Sequence, residues 1–339
     1  MVAASIIVRS FRRPRPLLEL VERLRRQRHS SFEIVIVEQS GDPALVGTLE
    51  ALGDARIRVL ARPPLGAPGA RNEGIRHARG EILLFIDDDD LPLDDDWVAN
   101  HLDNYRDPDC IGVNGRLCSG GQGPDPVRFP RLAHWLAFRY SLFRDPLTLP
   151  FIGTRKQGIT FAVGNNFSIR RQLIERIGGW DEGIPMGEEL SFFFKYERAR
   201  RPREYLVHDP RPTVWRRVNV AGGLERRTRP DWVRNELRGR VIYYHAVVGH
   251  YFPWRFRLLY PLFALRAAEQ VFVWIWDPDN AHRGLAQRLR ASWHLLWALP
   301  GTLLRDGWRA ARGVRRVSQL APAAGDDVVV GSAPASRNA

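Results

Sequence analysis

Four consecutive carboxylates, Asp87-Asp88-Asp89-Asp90, follow directly on the apolar run Ile82-Leu83-Leu84-Phe85-Ile86. The apolar run lies between Gly80 and Pro92 and reads as a buried strand of a parallel sheet. The carboxylates therefore leave its carboxyl end together, and that edge of an open α/β sheet is where ligands bind. Carboxylates so close cannot all stay ionised cheaply, so they require a cation, and hard oxygen donors suit Mg²⁺ or Mn²⁺. The chemistry predicted is a divalent metal on a diphosphate. A second acidic run, Asp94-Asp95-Asp96 before Trp97-Val98, is expected to open a helix, where Asp complements the dipole.

The elements that must position the cluster are legible upstream. Ala4-Ser5-Ile6-Ile7-Val8 is a first strand, ending in the polar turn Arg9 to Pro14. Leu17, Leu18, Leu20, Val21 and Leu24 recur at helical spacing. Phe32 to Val37 is a second strand, running into Glu38-Gln39-Ser40-Gly41-Asp42-Pro43, and a helix follows over about 44–52. Arg56 to Leu60 is a third strand, followed by a Pro/Gly loop and a helix carrying Arg71 and Asn72. Strand alternating with helix predicts an α/β fold with a doubly wound, mostly parallel sheet and right-handed crossovers. The first strand is not followed by G-x-G-x-x-G, and the sequence has no G-x-x-x-x-G-K-[ST]. Phosphates are therefore expected to be held by metal and Arg rather than by a Gly-rich loop.

The 339 residues allow one large domain and a smaller region. The two cysteines, Cys110 and Cys118, have no metal-ligand spacing and fit a reducing compartment. Met1 to Val8 lacks the basic lead-in and length of a signal peptide, so a cytoplasmic location is expected. The net charge is +13 and almost all of it is Arg, since Lys156 and Lys195 are the only lysines. Residues 221–318 hold 17 Arg against 7 Asp plus Glu, with 7 of the 11 Trp. Basic charge interleaved with Trp suits an anionic membrane surface.

The order Ser5-Ile6-Ile7-Val8, Glu33 to Glu38 with Ser40-Gly41-Asp42, and Gly69-Ala70-Arg71-Asn72-Glu73-Gly74 ahead of Ala78-Arg79-Gly80-Glu81 and the acidic strand end resembles the family 2 glycosyltransferases of the GT-A fold. The likeness extends to Gly164-Asn165-Asn166, to Gly178-Gly179-Trp180-Asp181-Glu182 and to Gly187-Glu188-Glu189, which is similar to the family's acceptor-side segment. Here the second residue of the last acidic pair is Glu where the family more often has Asp.

The resemblance implies a Rossmann-like GT-A sheet and an inverting transfer from a nucleotide-diphospho-sugar to an acceptor hydroxyl. Glu38 and Asp42 would meet the base or ribose, and Arg71 would support the diphosphate or the acidic loop. Asp87 and Asp89, with Asp88 as neighbour, would hold Mn²⁺ or Mg²⁺ on the donor. Glu189, with Glu188 as alternative, would be the base, and Trp180 and Asp181 would line the acceptor side. Many relatives place a His metal ligand near the end of the domain. The aligned position here is Trp215-Arg216, so His208 is the candidate, with Arg216 or Arg217 able to neutralise the diphosphate. The resemblance further implies a saccharide or lipid-linked acceptor, surface polysaccharide or glycolipid synthesis, and work at the inner face of a membrane.

The predicted organisation is a catalytic domain over 1–220, a helical basic Trp-rich region over 221–318 and a disordered tail over 319–339. Ser119 to Lys156, with the aromatic stretch His134 to Tyr140, is expected to be a loop with a short helix, either a lid or a plain insertion. Tyr205 to Pro210 and Pro212 to Arg217 are expected as the last strands. Arg257 to Trp276 is apolar, but Arg266, Glu269 and Pro261 argue against a span and for an interfacial helix with Trp274 and Trp276 at one end. Two alternatives weigh less. A nucleotidyltransferase on a similar sheet would carry a Gly-rich basic loop after the first strand, where this chain has Arg12 and Arg13 without glycine. A nucleic-acid-binding protein would have no use for the acidic cluster, and no nucleic acid partner is expected.

Overall fold

The computed structural model describes residues 2–119, 153–159, 164–184, 187–217, 232–251, 253–258, 260–276, 284–303 and 312–323. The expected alternation holds through the first quarter: β1 (Ala4–Ser10), α1 (Pro14–Arg25), β2 (Phe32–Glu38), α2 (Pro43–Ala51), β3 (Ile57–Ala61), α3 (Gly66–His77) and β4 (Ile82–Asp87). Then come β5 (Asp90–Pro92), α4 (Trp97–Asp103), β6 (Cys110–Ser119), β7 (Lys156–Ile159), β8 (Asn166–Arg170), α5 (Arg171–Ile177), α6 (Glu188–Ala199) and β9 (Tyr205–Arg216). The strands form one nine-stranded sheet in the order β3-β2-β1-β4-β8-β6-β9-β5, with β7 on β9. The β3-β2-β1-β4 half is parallel, whereas β8 runs antiparallel to both β4 and β6.

Strand residues alternate between two cores. Ile6, Val8, Ile34, Ile36, Leu84 and Ile86 pack with α1, α2 and Trp97 on one face. Ile7, Leu83 and Phe85 pack with Phe167, Ile169, Trp180 and the α6 residues Phe192 and Phe193 on the other. α6 is shared, because its Leu190 and Phe194 belong to a further cluster with the C-terminal helices. Those are α7 (Trp232–Tyr243), α8 (Pro253–Leu258), α9 (Tyr260–Ile275) and α10 (Leu285–Gly301).

The expectation of two final strands is corrected to one. β9 runs continuously, and its pairing with β6 shifts register between His208 and Thr213, across Pro210-Arg211-Pro212. Proline has no N–H for the ladder, and a bulge accommodates two of them without ending the strand. The lid or insertion expected over Ser119 to Lys156 falls largely on 120–152, outside the described residues, as does 324–339 of the expected tail. Residues 312–323 run back along the sheet domain: Ala323 N–H donates to Arg76 O, and Leu320 packs on the core that contains Trp180.

Candidate active site

The parallel register of β1 with β4 sets Arg9 opposite Asp87. The polar end of the first strand therefore emerges beside the acidic end of the fourth. Arg9 Nη2 lies 2.7 Å from Asp87 Oδ2. Ser10 Oγ donates to Asp88 Oδ2 at 2.9 Å. Arg13 Nη1 reaches Asp88 Oδ1 at 2.9 Å and Asp89 Oδ2 at 2.8 Å. Asp90 opens β5 opposite Arg216 of β9, whose Nε is 3.5 Å away, and accepts from Asn165 Nδ2 at 2.6 Å.

Asp87, Asp89 and Asp90 each offer a carboxylate oxygen to a cluster in which the three atoms lie within 4.8 Å of one another. Such a donor set fits a hard divalent cation. Asp90 thus joins Asp87 and Asp89, while Asp88 turns toward Ser10 and Arg13. Burial pushes the Asp90 carboxyl up to about 8, against Arg216 and with the help of Asp89 and Asp87. Burial also pushes Asp88 up to about 6, against the opposing Arg13. Asp87 goes the other way: burial alone would raise it, but Arg9, Arg71 and Arg216 hold it below the ordinary carboxylate range. At this strand end burial dominates the two raised carboxyls, and the arginines prevail only at Asp87.

Arg71 connects this cluster to the second acidic pair. Its guanidinium is 2% exposed, with Nη1 2.8 Å from Glu188 Oε1, and Nη2 3.4 Å from Glu189 Oε1 and 4.0 Å from Asp87 Oδ1. Nη2 also donates to Gly164 O at 3.0 Å. Glu188 and Glu189 form the first turn of α6, where carboxylates complement the dipole. The two differ in access. Glu188 is buried against Arg71, whereas the Glu189 side chain is 19% exposed. Burial, with the Glu188 charge next in size, pushes Glu189 up to about 7. That value suits a group that takes a proton near neutral pH. A Cβ at Gly164 would lie 2.2 Å from Glu189 Oε1 and 2.3 Å from Arg71 Nη2, so only glycine leaves the pair its place.

Other expected residues are placed less simply. Glu38 is fully buried at the end of β2; Oε1 accepts from the Ser40 N–H and hydroxyl, and Oε2 is buried with no partner among the described residues. Asp42 caps α2: its Oδ1 accepts from Ala44 N–H and Leu45 N–H at the start of the helix. His208 lies away from the strand-end carboxylates. It is buried on β9 with Nδ1 2.9 Å from Asn114 Nδ2, and it stands outside the carboxylate cluster because the strand bulge separates it from the end of β9.

Trp180 and Asp181, expected on the acceptor side, are both fully buried. Trp180 stacks on Phe192 with centroids 4.1 Å apart. Asp181 is fully buried and held by Ser191 Oγ, Lys195 Nζ and Arg316 Nη1, each at 2.6 Å, so it moors the C-terminal segment to α6. Asp96 does sit at the N-cap of α4, but without a side-chain cap hydrogen bond.

Sequence reasoning passed over Ser10, Asn72, Asp90 as a ligand, and Asn165. Asn72 clamps the turn before α6, accepting from Trp180 N–H at 2.8 Å and donating to Trp180 O at 2.9 Å. The available signal was adjacency: Arg71-Asn72 sends neighbouring side chains to the two acidic groups' supports.

A mostly parallel sheet whose carboxyl edge gathers acidic side chains is the arrangement of the GT-A fold. The Glycosyl transferase family 2 profile matches residues 5–178, half of the chain, and the protein belongs to that family. An uncharacterized glycosyltransferase of Haemophilus influenzae is 37% identical over 209 residues, 61% of this chain and 66% of that protein. The UDP-Glc:alpha-D-GlcNAc-diphosphoundecaprenol beta-1,3-glucosyltransferase WfgD of Escherichia coli is 30% identical over 101 residues, 29% of this chain and 38% of that one. The O-antigen biosynthesis protein RfbC of Myxococcus xanthus is 28% identical over 189 residues, 52% of this chain but only 14% of that one. The chain therefore spans less than two thirds of these relatives. Among solved structures, mannosyltransferase PcManGT from Pyrobaculum calidifontis, in complex with GDP-Man and Mn²⁺, matches with a TM-score of 0.52 at 17% identity, covering 89% of this chain and 87% of that one. At that identity the likeness carries the fold.

Proposed function

We propose that this protein is an inverting glycosyltransferase that moves a sugar from a nucleotide-diphospho-sugar to an acceptor hydroxyl. The single observation that carries the reading is the Arg71 guanidinium, which joins the Asp87 end of a metal-fitting cluster to the Glu188-Glu189 pair. One group suits a leaving diphosphate and the other a nucleophile, and they lie on either side of one cation.

In this reading a divalent ion held by Asp87, Asp89 and Asp90 would neutralise the diphosphate as it leaves. Arg9, Arg13 and Arg216 keep further positive charge at the same strand ends. The buried, unpartnered Oε2 of Glu38 accepts a hydrogen bond from the base or ribose. Glu189 accepts the acceptor hydroxyl proton as its oxygen bonds to the anomeric carbon. The anomeric carbon–oxygen bond to the diphosphate breaks on the opposite face, which inverts that centre. Glu188 stays paired with Arg71 and fixes the first turn of α6.

The division into a catalytic domain over 1–220 and a helical region over 221–318 belongs to the same proposal. The WfgD and RfbC likenesses favour a saccharide or lipid-linked acceptor, surface polysaccharide synthesis and a peripheral position at the inner face of a membrane. The test is Glu189→Gln, assayed by release of nucleoside diphosphate with donor and acceptor. Turnover should fall about a hundredfold to ten-thousandfold, with donor binding retained. Unchanged turnover would remove Glu189 as the base.

A further inference from the structure

α10 packs inward through Ala291 and Leu295, which belong to the cluster formed with α7 and α9. Its opposite face is not polar. Leu285, Leu289, Trp293, Leu296 and Trp297 are each more than half exposed. At 3.6 residues per turn these five fall within about 120° of arc. A surface helix of a globular protein normally turns charged residues outward there. The neighbouring α9 repeats the pattern: Phe263, Ala267, Val271 and Ile275 face in, while Leu265 and Phe272 face out. Trp254 and Leu258 of α8 are also exposed. Exposed large apolar residues are thus concentrated in the C-terminal helices, beyond what single scattered side chains explain.

Of the expected interfacial segment, Arg257 to Trp276, the structure places one end inward, while the Trp274 side chain lies outside the described residues. The residues expected at its membrane end were Trp274 and Trp276. Trp276 instead donates its indole N–H to Ser292 Oγ of α10 at 3.1 Å and takes Arg288 over its ring. No helix among the described residues is long and apolar enough to cross a membrane. The largest share of the exposed apolar side chains of the described C-terminal helices lies on α10.

We propose that the outward face of α10, centred on Leu289, Trp293 and Trp297, is the surface by which the protein docks on an anionic lipid bilayer. Charge selects this occupant over a second copy of the chain. Residues 221–318 carry 17 Arg against 7 acidic residues, and an anionic headgroup layer attracts a region of that charge, which a second copy of the same basic region does not offer. Arg290 is exposed beside Trp297 on the helical projection and reaches headgroups while Trp and Leu enter the acyl boundary. Pro300 closes the same arc and keeps it free of charge.

The docking face is tied to the site. α10 and α6 share one core, and Arg316, in the segment beyond α10, is held by Asp181 and lies 3.4 Å from Ser191 Oγ of α6. The inference deepens the peripheral position proposed above and rests on it. Its test uses neither donor nor acceptor, so it can fail without the transferase reading failing.

The full chain is sedimented with vesicles of phosphatidylcholine alone and with vesicles containing phosphatidylglycerol, alongside L289E/W293E/W297E. Wild type should partition onto the phosphatidylglycerol vesicles, and the variant should lose about tenfold or more of that partitioning. The melting temperature of the variant should match wild type, because the three side chains are exposed. Added salt should weaken the wild-type interaction. Equal partitioning of wild type and variant would overturn the proposal. So would a wild-type dimer in analytical ultracentrifugation that the variant abolishes, with neither protein binding vesicles, which would make the face a contact between copies.

Discussion

The two acidic groups at the sheet edge are chemically alike and physically different. Asp87 to Asp90 leave a strand end, and three of their side chains converge there, with Asp90 pushed up by burial. Glu188 and Glu189 open a helix, where the dipole already favours carboxylates, and Arg71 is paired with the first of them. The first group could hold a cation, and the second leaves one carboxylate partly open, pushed up to about 7 by burial. Residue type alone does not separate these roles; burial, partner and element terminus do.

The sharpest way to break the contrast is Asp89→Ala. It removes one ligand of the cation cluster and frees Arg13, and turnover should drop on the order of a thousandfold, measured as nucleoside diphosphate release across a metal titration. A loss restored by raising metal would place Asp89 at the margin of the cluster. Gly164→Ala acts at the other group. Its methyl must displace Glu189 and Arg71, both flexible side-chain ends, so the fold survives while kcat falls about tenfold to a hundredfold. Donor KM should move far less, and a change confined to KM would contradict the assignment.

Acidity separates the groups more finely. Glu189 must be ionised to accept a proton, and its carboxyl is pushed up to about 7. The wild-type rate should therefore fall as pH drops through about 7 and level off above it. Glu188 is the second-largest cause of that elevation, after burial. Glu188→Gln should move the acid limb to lower pH, read as kcat/KM across pH. An unmoved limb would assign it to another group.

The smallest effect tests the helix cap. Asp42→Ala should cost about 1 kcal/mol of stability through the lost cap of α2, measured by urea unfolding. Donor affinity should stay unchanged if Asp42 only caps the helix.

The parallel half of the fold was legible because β1, β2 and β4 are continuous apolar runs and α1 places its buried Leu and Val at helical spacing. The acidic cluster was legible as a run, but which three carboxylates converge was not. Asp90 returns to the site only because β5 pairs with β9, more than a hundred residues later. The burial of Asp181 was hidden for the same reason: its partner Arg316 lies 135 positions away, and nothing local to Trp180-Asp181 marks them as buried. His208 looked available because the bulge over Pro210 to Pro212, which carries the strand past it, depends on pairing with β6. The outward turn of the α10 Trp residues was not legible either, because it is set by packing against α7 and α9.

The most direct test of the central claim is the melting temperature of the wild-type chain against UDP-, GDP-, dTDP- and CMP-sugars, each with and without Mn²⁺. One nucleotide-sugar should raise it only when metal is present, and Asp89→Ala should abolish that rise. Stabilisation by a nucleotide-sugar that is equal without metal, and kept in Asp89→Ala, would contradict the assignment of the β4 carboxylates as the cation site for the donor.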